Sequence, residues 1–111
     1  GTYRQLETLC AQVAELRLRA TLGLARTALQ RGDADRCLAL LDDCPHKDPR
    51  VVCLCGEAHA SCDDLESLDQ AHDELTRAAR LWQLAGDGVH AHATRELLQG
   101  VRRRIEAAGG V

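Results

Sequence analysis

The sequence contains no phenylalanine, no methionine and no asparagine, and only one isoleucine (Ile105), one tryptophan (Trp82) and one tyrosine (Tyr3). Scarcity of the β-branched and aromatic residues that favour strands leaves an apolar complement of Leu, Ala, Val and Cys. This excludes a strand-rich fold on composition and points to close-packed helices. No run of 18 apolar residues occurs, so no transmembrane span is expected. No charged-then-apolar leader precedes a small-residue cleavage site, so no signal peptide is expected. The net charge of −3, of mixed sign, argues against a nucleic-acid binder driven by phosphate neutralisation. Arginines without interleaved aromatics argue against single-strand stacking.

What is present fits a single domain of 111 residues. Six cysteines fall at helical core spacings in a chain with few loops, so they read as reduced, buried thiols rather than a disulfide scaffold. An intracellular location, cytoplasmic or nuclear, follows as an expectation. The chain starts at Gly1 rather than Met and inside helical pattern, as a fragment of a larger protein would.

Leu6, Leu9, Val13, Leu16, Ala20, Leu24 and Ala28 step by three and four through a proline-free stretch from Tyr3 to Arg31. They predict one long helix, or two joined at a slight kink between Arg19 and Gly23. Gly32 stops it and Asp33 caps a second helix, about Ala34 to Cys44, just before Pro45. Asp48-Pro49 pairs an N-cap carboxylate with proline at the first helical position, opening a third helix to about Cys62. Asp63 or Asp64 opens a fourth, in which Leu65, Leu68, Ala71, Leu75, Ala78, Ala79, Trp82 and Ala85 keep helical period until Gly86. Asp87 caps a fifth that reaches about Ala107, with Gly109-Gly110 ending the order. Short connections predict antiparallel neighbours.

Packing positions recur after 34 residues: Cys37 with Ala71, Leu41 with Leu75, Cys44 with Ala78. With residue 18 as the first position, units span 18–51 and 52–85. The first carries Leu24, Ala25, Ala28, Gly32, Cys37, Leu41, Cys44 and Pro49 at the large, small and turn positions of a helical hairpin, Ala28 being smaller than its position expects. This resembles the tetratricopeptide repeat. The second unit departs from the pattern: Ala58, His59 and Cys62 stand at its large, small and aromatic positions, Glu66 replaces the turn glycine, and Gln83 replaces the proline. The resemblance implies an all-α, right-handed array of about five helices in one domain, 1–111. In it, 1–17 is the N-terminal part of a long helix, 18–51 and 52–85 are hairpins, and 86–108 is a capping helix. A plain antiparallel bundle is the competing architecture.

Cys53, Cys55, His59 and Cys62 supply zinc-ligand chemistry within ten residues. On one helix Cys55, His59 and Cys62 share a face while Cys53 lies about 200° from Cys55. The three are therefore weak metal candidates, and no metal or other cofactor is expected. His90 and His92, two apart, diverge. Cys62 and His59 lack an orienting group, so no catalytic residue is assigned and the chain reads as non-enzymatic. Trp82 reads as an anchor covering the last hairpin. Acidic residues in the middle and the run Arg102-Arg103-Arg104 read as solvated faces.

The resemblance implies a protein-interaction or scaffolding module that binds a peptide or helix of a partner. Leu22, Arg26, Glu57 and Ala60 are its inner-groove positions. The lack of asparagine disfavours a carboxylate clamp of the kind some members use. Leu9, Val13 and Leu16 extend beyond what one hairpin covers, which offers a second surface for a partner or for self-association. The alternatives are a self-associating helical bundle and a zinc-stabilised domain.

Overall fold

A computed structural model of the chain, which describes residues 1–109, contains five α-helices and no strand among those residues. They are α1 (Thr2–Gln30), α2 (Ala34–Leu41), α3 (Pro49–Ala60), α4 (Leu65–Leu84) and α5 (Gly88–Gly109). The all-α expectation holds, and each helix begins close to its expected cap. The end of order expected at Gly109-Gly110 falls partly outside the described residues, because α5 continues to Gly109.

Local chemistry sets the boundaries. Gly32 and Gly86 adopt φ of 82° and 78°, the left-handed geometry that closes a helix. In both turns the following residue reaches back to an orphan carbonyl, Asp33 N–H to Ala28 O and Asp87 N–H to Trp82 O, each at 2.9 Å. The carboxylates of Asp33, Asp48, Asp64 and Asp87 then accept from backbone N–H groups of the next helix at 2.8–3.0 Å. α1 is one continuous helix; Gly23 does not break it. α2 stops at Leu41 rather than Cys44, because the chain tightens into i→i+3 bonds, Asp42 N–H to Ala39 O and Cys44 N–H to Leu41 O, ahead of Pro45. α3 likewise ends at Ala60, with Ser61 and Cys62 bonded back to Ala58 and His59.

Consecutive helices pack on one another, and α1 also touches α3 as α3 touches α5, whereas α2 and α4 do not meet. α3 is thus the middle of the molecule. Val51, Leu54, Cys55 and Ala58 join Ala25, Ala28, Cys37 and Leu41 in one core between α1, α2 and α3. On the other side, Cys53 and Ala60 pack against a second core of Leu68, Ala71, Leu75, Leu98 and Val101. Of the positions related by 34 residues, Cys37, Ala71, Leu41, Leu75 and Ala78 are fully buried, while Cys44 is half-buried. Small residues there let the helices approach closely.

Trp82 sits half-buried at the α4–α5 turn and stacks on His90, ring centroids 4.5 Å apart. The described residues extend over 62 × 29 × 18 Å, because the first half of α1 projects past the rest.

α3 and α4 approach closely at Gly56, where a Cβ would lie 2.7 Å from Leu75 Cγ and 3.4 Å from the Leu75 nitrogen. Gly56→Ala gains up to about 1 kcal/mol of helix propensity but overpacks a fully buried leucine, typically at 1–3 kcal/mol. Urea unfolding should show a net loss of about 1–2 kcal/mol. Because Leu75→Ala removes the obstructing atoms, the double variant should be less destabilised than the sum of the single variants.

Candidate protein-interaction surfaces

Two grooves gather the residues singled out from sequence, and they lie on different parts of the molecule. The first lies between α3 and α5. Glu57, Ala60, Leu75, Leu97, Gly100 and Arg104 are among the walls of its roughly 430 Å³. Arg26 on α1 closes on Glu57, Nη2 to Oε2 at 2.9 Å, so these two expected binding residues form an α1–α3 ion pair. Arg104 ties the far end by donating to the Ala60 carbonyl and to Asp63 Oδ1, the latter at 3.0 Å. Leu22 is half-buried and packs against the α1–α3 core instead of lining this groove.

The second groove is larger, about 1,090 Å³, and runs between the projecting half of α1 and the end of α2. Leu9, Val13, Leu18, Leu40, Cys44 and Pro45 make it apolar, and Asp43 stands on its rim. Leu16, about 160° around α1 from Leu18 at helical spacing, is on the other side and is 64 % exposed. Thus Leu9 and Val13 belong to the groove and Leu16 does not. The α2 contribution was not anticipated from sequence, since Cys44 reads there as a packing position of the first hairpin.

A clamp sets the angle of this groove. The Arg50 guanidinium donates to both carboxylate oxygens of Glu15, at 2.6 and 3.1 Å, and to both of Asp48, at 3.0 and 2.8 Å. Arg19 adds a contact to Glu15 at 3.2 Å. Hydrogen bonds from Arg50 hold Glu15 down to about 2 and pull Asp48 below its usual range, and the carboxylates raise Arg50 in return. Asp48 is recognisable as a cap from sequence, but Glu15 lies 35 residues from Arg50 and no local pattern links them.

The cysteine and histidine candidates separate. Cys55 is buried in the first core, where burial pushes its thiol up to about 12. His59 Nδ1 meets Glu74 across the α3–α4 contact, and Cys62 Sγ points to the Ala58 carbonyl at 3.8 Å. Among the described residues no three His, Cys, Asp or Glu side chains are grouped so that they could hold a metal ion. Burial also raises Cys53, Cys37 and Cys44, the reverse of what an activated nucleophile needs. His90 pairs with Asp87 and His92 with Glu96, on separate sides of α5. All six cysteines are free, and only Cys10 is exposed. No helix among the described residues is long and apolar enough to cross a membrane.

No protein-family model, curated protein or solved structure matches the chain.

Two outcomes follow for this geometry. In native protein a thiol reagent such as Ellman's should modify Cys10 quickly and the buried Cys37 and Cys55 only at the rate of unfolding, as read from peptide mapping of the labelled protein. The clamp should also govern the acid limb of stability. Glu15 and Asp48 have folded-state pKa values below their unfolded ones, so their contribution is complete above the unfolded values near 4.5 and 3.8 and is lost as pH falls toward about 2. Half-buried Glu74 is raised by desolvation and works the opposite way, becoming less unfavourable on acidification. Arg50→Ala should therefore lower the urea midpoint at neutral pH and flatten its decline between pH 5 and pH 2, at which point the two proteins converge.

Proposed function

We propose that this chain is a non-enzymatic protein-interaction or scaffolding module, which receives an amphipathic helix of a partner protein in the groove between α1 and α2. The observation that carries the proposal is the groove itself: an apolar channel of about 1,090 Å³ beside a helix whose first half has no intramolecular cover. Such a shape suits helix-in-groove recognition, with anchors at i, i+3, i+4 and i+7. Asp43 stands at its edge without an ion pair among the described residues, so the complementary helix carries Lys or Arg beside its apolar face.

The smaller groove at Glu57 and Ala60 is a weaker host, since Arg26 already neutralises Glu57. Adjacency of α1 to α3 and of α3 to α5 agrees with a hairpin array similar to the tetratricopeptide repeats, in which first helices line one face. Free, largely buried cysteines agree with an intracellular setting.

A display selection of helical peptides against the chain tests the reading. Enriched sequences should share apolar anchors at helical spacing with basic flanks. Ala14→Arg combined with Asp43→Lys, both exposed, should weaken the best peptide at least about tenfold, or 1.4 kcal/mol, with the helical circular dichroism intact. Failure to enrich peptides over scrambled controls, or unchanged affinity in the variant, would remove the groove as the site.

A further inference from the structure

A second surface runs along α1 at the edge of the groove and shares Leu9 and Val13 with it. Leu6, Leu9, Val13 and Leu16 are 54 %, 56 %, 49 % and 64 % exposed, and with Thr2 and Ala20 they form one stripe along the helix. Their intervals are four, three, four, three and four residues, the a/d spacing of a coiled-coil seam. That series reads the same in both directions. A helix with such a stripe is complementary to its own reverse, as a two-fold interface requires.

We propose that two copies of this chain pair through α1 in antiparallel orientation, about a two-fold axis at Ala11. Leu6 then lies opposite Leu16 of the second copy, Leu9 opposite Val13, and Thr2 opposite Ala20. Charge chooses the orientation. Arg17 and Arg19 flank the stripe at one end and Gln5 and Gln12 at the other, with Tyr3 85 % exposed beside them. A parallel pair would gather four arginines at one level and bring both helical bodies to the same end. The antiparallel pair separates them and sets each Arg17 beside Tyr3 of the second copy, where the guanidinium can lie against the ring, and each Arg19 beside Gln5 on the other flank.

The area is also sufficient. Four large side chains at roughly 100 Å² of apolar surface each, on both copies and with the flanking residues included, give roughly 1,000 Å². A specific interface needs about that much. The pair is thus a concentration-dependent dimer, which draws on Leu9 and Val13 at the edge of the α1–α2 groove but on no residue of its α2 wall.

Sedimentation velocity of the full chain from low micromolar to near-millimolar concentration should show the mass rising from 12.1 kDa toward twice that value. Leu6→Glu with Leu16→Glu puts like charges opposite each other and should hold the protein at the monomer mass, with helicity kept and groove peptides still bound, because neither residue lines the groove. A second readout needs no variant of the stripe. Cys10, the one exposed thiol, lies one residue from the axis on the same flank of both helices, so a short bismaleimide should join the two copies, and Cys10→Ser should abolish the product. Parallel pairing puts the two thiols on opposite flanks and would leave the product scarce. A monomer mass at every concentration, a dimer untouched by the glutamates, or a dimer that the reagent does not join through Cys10 would each overturn the proposal.

Discussion

Everything in this fold leans on α3, a helix of twelve residues buried on two sides. Its Val51, Leu54, Cys55 and Ala58 complete one core and its Cys53, Gly56 and Ala60 face another, so neither hairpin is closed without it. Two-sided burial demands small side chains, because both neighbours must reach van der Waals contact across one helix. Cysteine, alanine and glycine meet that demand, and Gly56 does so at the limit, directly under Leu75. The same demand explains the thiol-rich run from Cys53 to Cys62. Cys53 and Cys55 are neutral packing groups whose burial raises their pKa, and their helical spacing sends them to opposite cores.

Electrostatics then orients what the cores do not reach. The first thirteen residues of α1 are all exposed, so burial alone does not fix their direction. Arg50 does, from the first turn of α3, by gripping Glu15 and its own N-cap Asp48 with one planar guanidinium. Since Asp48 also caps α3, the cap and the α1 angle are set by shared atoms. Arg26 with Glu57 repeats the α1–α3 link farther along. Both pairs are partly exposed, and such contacts contribute modestly to stability. Their larger effect is geometric, because they define how wide the α1–α2 groove opens.

Much of this was legible in the sequence, and the remainder was not for identifiable reasons. Caps and stops are local chemistry: Asp33, Asp48, Asp64 and Asp87 next to Gly32, Pro49 and Gly86 mark boundaries that a few neighbouring residues decide. The burial of Cys37, Ala71, Leu41 and Leu75 was readable from their recurrence. Helix ends drifted where the final turn tightens, at Cys44 and Cys62, since i→i+3 geometry leaves no residue signature. Periodicity groups Leu9, Val13 and Leu16 as one exposed face, as they are, but it does not show that Leu9 and Val13 also edge a groove, which depends on where α2 and its following loop stop, and α2 ends three residues early. Glu15 with Arg50 was out of reach because a contact across 35 residues exists only once the fold places both ends.

The projecting half of α1 has a thermodynamic position of its own. A helix of about fourteen residues is marginal in water when alone, because nucleation must be offset by few hydrogen bonds. Here nucleation is supplied by the packed second half, where Ala25 and Ala28 are fixed in the core, and the clamp at Glu15 carries that order one turn farther. Beyond Glu15 each added turn rests on propensity and on backbone bonds open to solvent, so Thr2 to Ala14 is the segment with least to lose on opening. A surface that exposes Leu6, Leu9 and Val13 on such a segment is stabilised by whatever covers it. Groove binding and pairing along the stripe would therefore order the same backbone, and because both draw on Leu9 and Val13 they share the cost of holding that helix in place while competing for those two side chains.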